Sequence, residues 1–128
     1  ICLGAPGLSY RSEDRYVQNV MNSILGGGMS SRLFQSLREE RGLAYSVYSY
    51  PSSYVDAGLY TIYIGTSPAK LGEFFEALYE QLIDFVTAGV SEDEIARTQK
   101  LMKSSIFLTS RLVGGSYAAL ICYIMEFK

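Results

Sequence analysis

Between Leu25 and Tyr50 the chain reads LGGGMSSRLFQSLREERGLAYSVYSY, and within this one segment the residue pattern changes character twice. Gly26-Gly27-Gly28 separates a helical pattern from a second, shorter one, and Gly42 then separates that from a run of tyrosines alternating with serine. Glycine punctuation between a 3.6-residue period and a 2-residue period marks where helices end and a strand begins. The expected result is a layered α+β domain, an antiparallel sheet packed by helices. A second fact limits the chemistry: the 128 residues include no histidine.

The rest of the chain fits this architecture. Ile1 to Ala5 reads as a short strand stopped by Pro6-Gly7. Ser12 is an N-cap candidate, with Glu13 and Asp14 complementing the dipole of the first turn. Val17, Val20, Met21, Ile24 and Leu25 then form an apolar helical stripe. The glycine triplet is expected to end this helix in the left-handed conformation. Ser30 or Ser31 caps a short helix carrying Leu33, Phe34 and Leu37, closed by Gly42. Leu43 to Tyr54 and Leu59 to Thr66 read as a hairpin turning at Asp56-Ala57-Gly58.

Ser67-Pro68 starts a long helix. Its stripe is Leu71, Phe74, Phe75, Leu78, Leu82, Phe85 and Val86, and Gly89 ends it. Ser91 and Glu94 read as a capping box for a further helix through Ile95, Met102 and Ile106 toward Arg111. Leu112 to Phe127 is apolar but broken by Gly114-Gly115, and reads as a core helix rather than a membrane span of about 20 residues. The whole chain, residues 1–128, is taken as a single domain. It opens on Ile1, already in a strand, so a longer parent is expected.

A formal net charge of −2 without a basic patch argues against nucleic acid as a partner. Cys2 and Cys122 stand at opposite ends without metal-ligand spacing, and read as buried, reduced thiols. Gly26 to Gly28 lacks the Gly-Lys-Ser/Thr that a phosphate loop requires. Glu39, Glu40 and the group Glu92, Asp93, Glu94 read as solvated acids at helix ends. Tyr48, Tyr50, Tyr54, Tyr60 and Tyr63 could line a peptide-binding wall, with part of that band serving as ordinary sheet packing.

The Leu25–Tyr50 segment resembles the second, metal-free half of the insulinase/pitrilysin/mitochondrial-processing-peptidase family of zinc peptidases. That family binds zinc through an inverted H-x-x-E-H helix in its other half. The resemblance therefore implies a substrate-holding, non-zinc-binding domain of a peptide-degrading or peptide-processing endopeptidase. Zinc is expected in a partner half, on the same chain or another subunit, and this chain alone should be inactive. The alternative is a structural core subunit of the same fold without peptidase activity, as in respiratory-complex relatives. A bacterial cytoplasmic or mitochondrial matrix setting is favoured.

The resemblance singles out Arg38 and Tyr45 as substrate-binding residues, through Leu37-Arg38 and Leu43-Ala44-Tyr45. It implies that they reach toward the zinc-bearing half, position the peptide and help stabilise the oxyanion. Their chemistry suits the task, since a guanidinium is always charged and a phenol donates a hydrogen bond. Spacing alone leaves the plainer alternatives open: an arginine complementing a helix dipole and a tyrosine packing on a strand. Gly26, Gly27 and Gly28 are the glycine turn, which in the family brings two helices together near the central cavity. The remaining partners expected are the peptide itself and, for this piece, further copies of the chain through the Leu112–Phe127 stretch; no membrane is expected.

Overall fold

A computed structural model describes the backbone of residues 1–112 and side chains to residue 105. The chain divides into two units, Ile1–Ser91 and Glu92–Lys128. The second contributes one described element, the helix α3 at Glu92–Leu112, with Glu92, Asp93 and Glu94 in its first turn. The apolar stretch after Leu112, with Cys122, lies outside the described residues. No helix among the described residues is long and apolar enough to cross a membrane.

The first unit is built on a three-stranded antiparallel sheet in the order β1-β3-β2, with β1 at Cys2–Pro6, β2 at Ser46–Ser53 and β3 at Gly58–Gly65. β2 and β3 are a hairpin in register Val47↔Ile64, Ser49↔Ile62 and Ser53↔Gly58. The Tyr54 N–H closes the connection onto the Ala57 carbonyl at 2.8 Å. Helix α1 spans Arg15–Leu25, and a helix of wider π pitch follows at Phe34–Glu40. Ser67-Pro68 opens a 3₁₀ turn that leads into α2, Leu71–Ala88.

One hydrophobic cluster joins these elements. Val47, Ile62 and Ile64 on one sheet face meet Leu25, Leu33, Leu37, Leu43 and the α2 residues Phe74, Ala77 and Leu78. The α2 stripe expected from periodicity is buried at Phe74 and Leu78, and partly at Leu82 and Phe85. Phe75 and Val86 are exposed instead. Together with Tyr79 and Ile83, also exposed, they form a second apolar strip on α2 within an arc of about 80°.

Three local expectations are corrected. Asp14, not Ser12, occupies the N-cap of α1, and no side chain caps it. Val17 is exposed, so the α1 stripe is buried only at its C-terminal end, Ile24 and Leu25. Cys2 is exposed, because it falls on the outer sheet face opposite Tyr63.

Candidate functional site

The glycine triplet ends α1 by a route other than the one expected. Gly26 has φ −152°, and the positive-φ glycines among the described residues are Gly42 and Gly89. What requires glycine at 26 is close approach. A Cβ there would stand 2.3 Å from Ser49 Oγ and 2.9 Å from the Ser49 backbone nitrogen. Gly26 therefore lies directly against β2, and its carbonyl accepts the Ser49 N–H at 2.8 Å. At Gly28 a Cβ would meet open space.

Beneath this contact sits a polar node that periodicity could not foretell. Ser49 Oγ donates to Asn22 Oδ1 at 2.8 Å, tying β2 to α1. Tyr60 Oη lies 2.9 Å from Ser49 Oγ and 3.0 Å from Asn22 Oδ1, so its single proton can serve either. Burial raises the Tyr60 phenol above its ordinary pKa, against the opposing pull of the Ser49 hydrogen bond. The hydroxyl thus stays a donor at neutral pH.

The second helix supplies the facing wall. Seven residues at π pitch keep Leu33 and Leu37 fully buried while Arg38 points outward. Wide turns of this kind occur often at functional sites. Gly42, at φ +59°, reverses the chain, and the Leu43 N–H returns to the Leu37 carbonyl at 2.8 Å. Ser31, which was a candidate cap, is buried and its hydroxyl donates back to the Gly28 carbonyl at 2.5 Å.

Between these walls runs a groove of about 360 Å³ lined by Gly26–Gly28, Met29, Phe34, Arg38 and Ser46–Ser49. The Arg38 guanidinium carbon lies 4.6 Å from the centre of the Phe34 ring. Its Nε is 3.8 Å from a Glu39 carboxylate oxygen, an exposed pair that contributes little to stability. Such an arginine remains available to a ligand.

β2 is an edge strand of the described sheet, and one of its residues, 2% exposed, turns its backbone groups away from the ladder toward this groove. Ile64 engages Ile1 on both sides: each residue's nitrogen reaches the other's carbonyl at 2.8 Å. Its register partner Val47 is therefore a non-hydrogen-bonded pair, whose N–H and C=O face outward. No bond outside the ladder occupies either group among the described residues.

Tyr45 stands apart from the groove lining. It precedes β2, its N–H pairs with the Gly65 carbonyl at 3.0 Å, and its ring covers Gly65. Its side chain is 71% exposed. No hydrogen bond or ring contact joins Tyr45 to Arg38, so the structure sets the two candidates near one strand end without bringing them together. Of the tyrosine band, Tyr48 stacks on Tyr63 with ring centres 4.8 Å apart on the outer sheet face, where Tyr50 is also exposed. Tyr60 faces the core, and Tyr54 lies in the hairpin connection.

A sequence model of the family described as the peptidase M16 inactive domain matches residues 1–102. The chain belongs to that family. It is 46% identical over 109 residues, 85% of its length, to a Bacillus subtilis protein named as an uncharacterised zinc protease, YmxG. It is 44% identical over 108 residues to a Streptomyces coelicolor protein named in the same way, SCO5738. The chain spans only 27% and 24% of these two relatives. Among solved structures, the peptidase M16 inactive domain from Pseudomonas fluorescens superposes with a TM-score of 0.74 at 24% identity, covering 94% of this chain and 27% of that one. The inactive peptidase domain of a zinc protease from Bordetella parapertussis gives 0.72 at 17% identity, covering 94% and 64%. These likenesses establish the α+β fold as that of the M16 inactive domain.

The residues of this M16 domain do not fit a zinc site. It has no histidine, and among the described residues no cluster of three or more cysteine or acidic side chains could hold a metal. Glu39, Glu40, Glu92 and Asp93 are exposed at helix ends, as expected of solvated acids, whereas Glu94 is half-buried and engaged in a contact.

Proposed function

We propose that this domain holds an extended peptide along the β2 edge while a zinc-bearing half of the longer protein hydrolyses it. The observation that carries the proposal is the groove itself, walled by the glycine turn and Arg38 and floored by β2, where Val47 is 2% exposed and turns its N–H and C=O away from β3. A peptide laid there would gain a pair of main-chain hydrogen bonds, the usual basis of strand addition. The glycine wall leaves room for side chains of varied size. Arg38, on the opposite wall, would bind a peptide carbonyl, and Tyr45 would donate its unpartnered hydroxyl at the strand's start. Both act through hydrogen bonds to the peptide; no step is assigned to a metal in this chain.

A quenched, unstructured peptide provides the test. The full-length protein should cleave it in a chelator-sensitive way, and this chain alone should not cleave it. Chelator-sensitive cleavage by the pure chain would overturn the assignment. An inactive full-length protein would favour a structural core subunit.

Self-association of the isolated chain belongs to the same proposal. The exposed α2 strip Phe75, Tyr79, Ile83 and Val86 supplies contiguous apolar surface through which copies could meet. Light scattering over a concentration series should show dimers or larger species; a monomer throughout would remove this part.

A further inference from the structure

We infer that the outer edge of β1 is a seam, filled by a strand from the remainder of the longer protein. The inference concerns the edge of the described sheet opposite β2 and does not depend on where a peptide binds. β1 is exposed at Cys2, Gly4, Ala5 and Pro6, and only Leu3 is half-buried.

The ladder decides which backbone groups on β1 are unused. Ile1 and Ile64 exchange both bonds at 2.8 Å, and the Gly7 N–H reaches the Gly58 carbonyl at 3.0 Å. Alternation along the register then turns Leu3 and Ala5 toward β3, and Cys2, Gly4 and Pro6 away from it. Pro6 falls on an outward position, where β3 needs no N–H from it. Gly4 has no side chain, so its exposure is that of the main chain itself. Among the described residues, no bond outside the ladder occupies the Cys2 or Gly4 backbone.

Native edges are usually guarded by charged side chains, bulges or prolines that keep other strands from pairing. β1 reads Cys-Leu-Gly-Ala-Pro, without a charge and with its proline in the last position. Leu3 packs against the core from the inner face yet stays half-buried, so an apolar residue on a neighbouring strand would complete its burial. The partner that fits is an extended strand, apolar on the side that faces the helices.

Its source follows from strength and length. The few bonds open at Cys2 and Gly4 are each modest, and together do not offset the freedom a separate molecule loses on association. A strand on the same chain has already lost most of that freedom. About a third of the solved inactive domain from Bordetella parapertussis has no counterpart here, and this chain spans 27% of its Bacillus subtilis relative. The longer protein therefore has chain enough to supply the strand.

Residue-resolved amide exchange on the peptide-free, full-length protein reads this edge without any substitution. With the seam filled, the Cys2 and Gly4 amides should exchange within about tenfold of Leu3 and Ala5, whose N–H groups face β3. That protection should persist on dilution. An alternating profile, slow at Leu3 and Ala5 and fast at Cys2 and Gly4, would show an open edge and overturn the inference. Protection of Cys2 and Gly4 that is lost on dilution would assign the edge to a second copy and overturn it equally. Neither result would touch the peptide groove on the other side of the sheet.

Discussion

In the full-length protein, Arg38→Ala should lower peptide hydrolysis by about 100- to 1,000-fold, the cost of removing one preorganised donor at a reacting carbonyl, ~2.7–4 kcal/mol. Arg38 lines the groove with its guanidinium over Phe34 and, among the described residues, an exposed carboxylate as its ion-pair partner, so it is available to a peptide. Its loss should raise KM as well as lower kcat, since it would hold substrate before reaction as well as during it. Tyr45→Phe should act mainly on kcat, because the exposed ring rests on Gly65 and only the hydroxyl changes. Steady-state kinetics on the two variants, with circular dichroism to confirm folding, checks this. Near-normal kcat/KM with reduced thermal stability would make both residues structural.

Gly26→Ala should destabilise the domain by about 1–3 kcal/mol, as overpacking typically does. The added methyl has no space: it would meet Ser49 Oγ at 2.3 Å, and the Ser49 backbone at 2.9 Å cannot move without disturbing β2. The turn must lift, breaking the 2.8 Å bond from Ser49 N–H to Gly26 and opening one wall of the groove. Peptide binding should weaken together with stability. Gly28→Ala is the internal control, because its Cβ would enter open space and its φ is not positive. Thermal unfolding of the two variants side by side should separate them; equal effects would mean that close approach at Gly26 is unimportant.

The elements were legible wherever a period ran long enough. The α2 stripe, the hairpin and its turn at Asp56 to Gly58, and the Gly42 and Gly89 reversals all follow from spacing and glycine chemistry. The facing of β2 was less legible. Tyrosine alternating with serine suggests aromatic rings inward, yet Ser49 is buried while Tyr48 and Tyr50 are exposed. The reason is the node with Asn22 and Tyr60, a tertiary arrangement that leaves no periodic trace. An asparagine on the inner side of a helix that ends in glycines was the one available signal. The π pitch of the second helix was equally hidden, since Leu33 and Leu37 fit an ordinary helix as well. Arg38 and Tyr45 were singled out by resemblance, not by spacing; Arg38 lines the groove and Tyr45 does not.

The peptide-holding reading places an extended peptide in the groove along β2, over Val47. Amide hydrogen exchange on the full-length protein, with and without a saturating non-cleavable extended peptide, tests it most directly. Exchange at the Val47 amide should slow when peptide binds, while the Ser49 amide, already bonded to Gly26, should change little. Saturated peptide binding with Val47 exchange unaltered would contradict the claim and place the peptide elsewhere.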